Sequence, residues 1–365
     1  MPRPDFRVRP RGRRRYRRGM GDDLARELVS GVRGRRLCWE LLQDPLSRTS
    51  AWTALRTGRS RPGDEDLLSE LTAFTADFDA HGIADRLFSA LEESVAWARY
   101  WQEPDEIDQG LALPGMDVAL LPVAREVAAA APRWWSDGVA LHDQWLVDLR
   151  GSDPGAALDG SAAGKLAQWW EHAVEWERQW EGYTSDPGVN LSGYWWSTPN
   201  QSVVELPSTT RKPPGGGPVG LSLVEDGMGW TSLHCAPVAV RGGARVFEVT
   251  CPRDWAELVA RYPMDVTASR RHDWWRTTGV AGRWLLPDYA AVGRDYDAVH
   301  LTAWGYLTTA GEALEAGEAG TVLAGWSPDE TYWLTDCLQL SGPTEHWTRD
   351  EAYDSPWVRA AGATD

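Results

Sequence analysis

The chain has 365 residues, of which 42% are apolar and 25% charged, and carries a net charge of −16. That length exceeds what one hydrophobic core usually holds, so two domains of a folded, soluble chain are expected. No run approaches the ~20 apolar residues of a membrane helix, and no apolar stretch backs the basic N-terminus as a secretory signal requires, so cytoplasmic residence without a membrane partner is expected.

The charge is unevenly spread. Residues 1–19 hold nine arginines against one acid, Asp5; without them 28 basic side chains face 52 acidic ones, a balance of −24. So acidic a body repels phosphate backbones, and nucleic acid is expected as a partner only of the basic arm. The arm has too few apolar side chains to offset the entropy of ordering, so it is expected to be disordered. Met20 directly follows it, and the arm also reads as an artefact of gene-start choice. Lysine is confined to Lys165 and Lys212, a coding bias towards arginine. Cys38, Cys235, Cys251 and Cys337 form no CxxC pair, and Cys235 with its neighbour His234 and Cys251 matches no zinc spacing. Four buried free thiols and no metal are therefore expected. The 23 tryptophans exceed what such a bias explains, and many must be core, each burying on the order of 200 Å².

Residues 22–43 read as a helix with Leu24, Leu28, Cys38 and Leu42 on one side and Gly31 and Gly34 weakening its middle. After the turn Arg61-Pro62-Gly63, the acids Asp64, Glu65 and Asp66 suit the positive end of a helix striped by Leu67, Leu71, Phe74 and Phe78. Ile83, Leu87, Leu91, Val95 and Ala98 mark another helix, ending near Trp101 before Glu103-Pro104-Asp105. Residues 122–130 give an alanine-rich helix with Pro122 in its first turn. Across 161–182, Trp169, Ala173, Trp176 and Trp180 form a helical stripe that reads as core or interdomain packing.

Beyond Gly182, strands are expected at 202–206, 219–224, 236–240, 245–250, 298–302 and 331–334, and helices at 252–261 and 304–310. Pro213, Pro214 and Gly215–Gly217 make a flexible loop between the first two strands. The expected fold class is α+β, a helical N-terminal half followed by a mixed α+β C-terminal domain. Its expected parts are an arm at 1–19, a helical domain at 20–182, a connector at 183–218, an α+β domain at 219–345 and a tail at 346–365.

The P-loop, zincin and GxSxG patterns are absent. Gly215-Gly216-Gly217-Pro218-Val219-Gly220 matches GxGxxG in letters, but it follows a proline pair and leads into an expected strand, the wrong context for a dinucleotide loop. In Thr267–Arg276, the residues Ser269, Arg270, Arg271, His272 and Trp274 offer cations and stacking faces suited to an anionic, ring-bearing ligand. The same arginines could instead pair with the surrounding acids. His300 shares a strand face with Thr302 beside a helix start, a place for a general base, a donor or a satisfied core histidine. Asp329 and Glu330 head an aromatic strand, where Glu330 could orient a ribose hydroxyl, stabilise an oxocarbenium-like centre, or be a solvated turn acid.

From 219 to 334 the chain resembles a family of tryptophan-rich bacterial proteins in Leu223-Val224-Glu225-Asp226, Gly229-Trp230, Arg261-Tyr262-Pro263, Pro287-Asp288, Asp297 to Thr302 and Trp333-Leu334. That resemblance implies no activity. Arg211, Thr267-Ala268-Ser269 and Glu330 are also similar in order to ADP-ribosyltransferase-like folds, which use an early-strand Arg or His, a Ser/Thr or Tyr motif midway and a late Glu. The chain departs from that pattern in its middle motif, in Pro328 two residues before Glu330, and in Arg211, which is expected in a loop.

The leading expectation is therefore an enzyme acting on a nucleotide-like anionic ligand, with glycosyl or ADP-ribosyl transfer and an NAD cofactor as the second resemblance implies. Glu330 and His300 are its candidate catalytic residues; Arg211, Ser269, Arg270, Arg271, His272 and Trp274 are its candidate ligand-binding residues. The rival is a non-catalytic binding, immunity or regulatory protein whose partner is a protein met by exposed tryptophans. Convergence of the candidates on one pocket separates the two.

Overall fold

A computed structural model of the chain describes residues 18–42, 50–58, 61–149, 151, 153–192, 194–199, 204–213, 215–350 and 355–360. Of the expected basic arm, residues 1–17 lie outside the described residues, and Arg18 begins the first helix. The helices are α1 (Arg18–Ser30), α2 (Val32–Glu40), α3 (Ser50–Arg56), α4 (Asp64–Ala76), α5 (Ile83–Ala96), α6 (Glu106–Leu111), α7 (Met116–Ala130), α8 (Ala162–Trp180), α9 (Pro252–Arg261), α10 (Thr267–Thr278), α11 (Tyr289–Asp295) and α12 (Ala303–Thr309). The strands are β1 (Gln144–Asp148), β2 (Ser208–Thr210), β3 (Ser232–Val240), β4 (Val246–Val249), β5 (Pro263–Asp265), β6 (Leu285–Pro287), β7 (Ala298–Leu301), β8 (Leu314–Ala316), β9 (Ala319–Thr321), β10 (Thr331–Trp333), β11 (Leu338–Leu340), β12 (Glu345–Thr348) and β13 (Val358–Arg359). The fold is α+β with a helical N-terminal half, as expected.

The expected helix over 22–43 is two helices that part at Gly31. A side chain there would collide with the backbone of α12: an ideal Cβ lies 2.8 Å from Thr308 Cα and closer still to the Leu307 carbonyl oxygen. Neither atom can move without shifting the helix. Gly31→Ala is therefore expected to cost several kcal/mol in urea unfolding, as overpacking of a close backbone contact does. Gly21→Ala, in α1 with open space around its Cβ, is expected to gain about 0.5–1 kcal/mol from helix propensity. Equal effects at the two positions would contradict the contact.

α7 begins six residues before the expected start, so Pro122 lies inside it rather than in its first turn. Burial of Met116, Ala119 and Leu120 outweighs the ~3 kcal/mol that an interior proline costs. Ser161 caps α8, its hydroxyl accepting the Gly164 N–H at 3.0 Å. The stripe of α8 is core at Trp169 and Ala173 and only half-buried at Trp176 and Trp180.

The main sheet runs β13-β12-β3-β1-β2-β10-β7-β4, with β11 also on β3. Every pair in it is antiparallel except β4 with β7, whose crossover carries α9, α10 and α11. Of the expected strands, 202–206 lies partly outside the described residues and contributes a single bridge at Val204, while 219–224 holds only a 3₁₀ turn, Val219–Leu221. There the Val219 N–H reaches back to the Arg211 carbonyl and the Gly220 N–H to the Thr210 hydroxyl, so these donors serve a turn instead of a ladder. β1, unexpected from the sequence, enters the middle of the sheet from the helical half.

One sheet face, with Val249, Val299, Leu301 and Tyr332, joins a cluster of buried side chains that extends from Ala25 to Leu334 and so includes both halves. The opposite face carries a smaller cluster around Leu146, Val238, Ala298 and Trp333. Cys38 and Cys235 are buried, whereas Cys251 and Cys337 are only half-buried, which corrects the expectation of four buried thiols.

Candidate functional site

A buried ionisable cluster lies on that opposite face, at the C-terminal ends of the parallel pair. Glu248 of β4 stands beside His300 of β7, and His300 beside Thr331 of β10. His300 Nδ1 is 2.6 Å from Glu248 Oε2, and its Nε2 is 3.3 Å from Asp329 Oδ1. Burial opposes a charge on the imidazole, but the hydrogen bonds to Asp329 and Glu248 outweigh it and raise its pKa to about 9. His300 is thus an imidazolium at neutral pH, donating from both nitrogens.

Asp329 is the hub. Its Oδ1 also accepts Arg211 Nε at 2.6 Å, and its Oδ2 accepts the Arg211 backbone N–H at 2.9 Å. Its φ of +62° lies in the left-handed region, which aspartate tolerates better than most residues and which aims the carboxylate back at both cations. Arg211 spends its remaining reach on the Asp137 and Gly138 carbonyls at 3.4 and 3.1 Å, under the Trp134 ring. The Val139 N–H then closes the circuit on Glu248 Oε1 at 3.0 Å. Side-chain exposure is 1% for both His300 and Asp329, 8% for Arg211 and 32% for Glu248, so the chain Arg211–Asp329–His300–Glu248 meets solvent mainly at its last carboxylate.

Glu330 follows Asp329 but turns to the other side of the sheet. Its carboxylate accepts the Ser327 N–H at 3.0 Å and lies against Tyr332 and Ser208 on the main-core face. Burial raises its pKa to about 7. The Leu301 N–H donates to the Glu330 carbonyl at 3.1 Å, so the two candidate catalytic residues are backbone neighbours whose side chains point apart.

The arginine-rich stretch forms α10, and its N-terminus is already occupied. Glu177 of α8 accepts the Ala268 N–H at 2.8 Å, the Ser269 N–H at 3.3 Å and the Ser269 hydroxyl. Arg270 Nη1 donates to Ser269 Oγ at 2.5 Å, lies 3.8 Å from Glu177 and sits 5.2 Å over the Tyr194 ring. Burial lowers the Arg270 pKa to about 10 and raises that of Glu177. The anion that a helix start and an arginine would recruit is therefore the protein's own carboxylate. Arg271 Nε donates to the Ala268 carbonyl, the buried His272 lies 3.3 Å from the Pro187 carbonyl, and the buried Trp274 donates to the Trp195 carbonyl at 2.7 Å.

The candidates thus fall into separate groups: Arg211 with His300 through Asp329, Ser269 with Arg270 through Glu177, and Glu330 on its own. Sequence reasoning missed Glu177, Glu248 and the hub role of Asp329, all partners supplied from distant parts of the chain. Among the described residues, no group of three or more His, Cys, Asp or Glu is placed to hold a metal ion. A cleft of about 210 Å³ in the helical half, bordered by Leu55, Arg61, Asp64, Leu67, Glu106 and Leu113, includes none of the candidates. No protein family, curated protein or solved structure matches the chain.

Proposed function

We propose that this is a non-catalytic binding protein that meets a protein partner through tryptophans displayed by its helical half. The carrying observation is that the polar side chains suited to a transferase are committed to intramolecular partners in separate buried networks, whereas indoles stand outside. In the turn after α5, Trp97, Arg99 and Trp101 are exposed while Ala98 and Tyr100 are buried between them. The turn is pinned from behind, where the Thr277 hydroxyl donates to the Tyr100 carbonyl at 2.9 Å. The Arg36 and Arg99 guanidinium carbons lie 5.0 and 5.1 Å from the Trp97 ring centroid. Aromatic and arginine side chains on a rigid frame are the usual composition of interface hot spots, and rigidity spares the ordering cost of binding.

The test is Trp97→Ala with Trp101→Ala. Trp97 and Trp101 are only 38% and 37% exposed, so the packed remainder of the two rings is expected to cost a few kcal/mol of unfolding free energy, and affinity is read at a temperature where circular dichroism shows the variant fully folded. Affinity for a partner isolated from the source cell, and shown by hydrogen exchange to protect 97–101, is expected to fall more than tenfold. Unchanged affinity would remove this surface. A saturable thermal shift with NAD that Glu330→Gln and Arg211→Ala abolish would return the transferase reading.

A further inference from the structure

Lys212 is one of two lysines in a chain whose other basic side chains are all arginine. Its ammonium lies 4.2 Å from the centroid of Trp145, 5.0 Å from that of Trp347 and 3.1 Å from Glu345 Oε2. Two π-faces and a carboxylate thus surround one compact ammonium, the arrangement that binds a point-like cation. The walls also hold themselves. The Trp145 indole N–H donates to Asp143 at 3.0 Å, and the Trp347 indole N–H donates to Glu345 at 3.1 Å. Glu345 is further fixed by Arg359 at 3.3 Å. The rings therefore keep their orientation whether or not the lysine is present. The occupant is the less enclosed member, since the Lys212 side chain is 24% exposed against 10% for Glu345. It is also tethered next to the loop that begins at Pro213 and carries Gly215–Gly217.

We propose that Trp145, Trp347 and Glu345 form a recognition cage for a quaternary ammonium, and that Lys212 is the tethered occupant that keeps it closed. A methylated ammonium loses less hydration on entering such a cage than a primary one does, and it still meets the ring quadrupoles and the carboxylate. This inference concerns a different face from the 97–101 surface and does not depend on the binding reading.

The experiment uses the full chain and the indole N–H signals of Trp145 and Trp347 in ¹⁵N-tryptophan spectra, assigned with Trp145→Phe and Trp347→Phe. Tetramethylammonium chloride is titrated against Lys212→Gln and wild type, with sodium chloride at matched ionic strength. Both signals are expected to shift saturably in Lys212→Gln and at least tenfold more weakly in wild type, and Glu345→Gln in the Lys212→Gln background is expected to abolish the shift. Choline and a trimethyllysine peptide are then compared: tighter choline indicates a small-molecule ligand, and a tighter peptide indicates a modified protein. If Lys212→Gln retains its circular dichroism and melting transition but shows no saturable shift, or if wild type binds equally well, the proposal is wrong. Lys212→Met serves in place of Lys212→Gln if the latter unfolds, with the same outcomes.

Discussion

Raising the pH from 5 to 9 is expected to lower the stability of this protein by several kcal/mol, and growing self-repulsion in a chain with a net charge of −16 acts in the same direction. Glu225 drives much of this. Only 7% exposed, it accepts the Gly325 N–H at 2.5 Å and lies against Tyr306, with Arg33, Tyr100 and Glu330 around it. Burial raises its pKa from 4.5 to about 8, more than Tyr306, Gly325 and Arg33 can offset. A carboxyl whose pKa is raised on folding holds a proton in the native state that the unfolded state has released, so stability falls as pH climbs from 4.5 to about 8. At about 1.4 kcal/mol per pKa unit, that one group is worth several kcal/mol. Glu330, raised to about 7, has the same sign over its own window. So does His300: its stabilisation is complete below its ordinary 6.5 and is lost as pH passes about 9. Urea unfolding at pH 5.5, 7 and 8.5 measures the slope. Glu225→Gln should flatten it and raise stability at pH 8.5; a wild-type curve that is flat or rises with pH would refute the assignment.

Asp329→Ala should cost about 3–5 kcal/mol, because it strands two cations that are already largely out of water. Arg211 would keep only two carbonyls and a tryptophan face, and His300 only Glu248. Asp329→Asn should cost less, since asparagine accepts the left-handed backbone and its amide oxygen still takes the Arg211 N–H. It should nonetheless lower the His300 pKa, visible by NMR titration of the imidazole. Asp329→Ala unfolding within about 1 kcal/mol of wild type would mean that the network contributes little.

The legible parts of the fold were those written in local pattern. Pro252 through Arg261 announces a helix by a proline start and an inward Trp255, Leu258 and Val259, and α9 has those bounds. β7 and β10 fall within the expected 298–302 and 331–334 because apolar and β-branched residues cluster between turn signals. β1 was not legible: five residues in a helical context become a strand only because β2 and β3 pair with them. The helix break at Gly31 depends likewise on α12, far along the chain.

The polar clusters show the same limit more sharply. His300 and Arg211 stood out as residue types, but the acid that joins them is 118 positions from Arg211, and the one that occupies Ser269 is 92 positions before it. Composition cannot say whether an arginine faces a ligand or a carboxylate from another helix. Alternation did carry information about Asp329 and Glu330: neighbours at the head of a strand serve opposite faces, and the candidate chosen, Glu330, lies on the other side of the sheet from His300.

The central position of β1 has a consequence for how the chain assembles. Its two neighbours are made later, so during synthesis the strand emerges with both hydrogen-bonding edges open and must wait for β2 and then β3. The C-terminal segment alone can build only two separate blocks, β2-β10-β7-β4 and β13-β12-β3 with β11, because β3 and β2 would face each other across an empty lane. Closure of that lane by a segment from the helical half ties the two halves into one cooperative event with long-range, slow-forming contacts, and leaves an aggregation-prone edge exposed until it is complete.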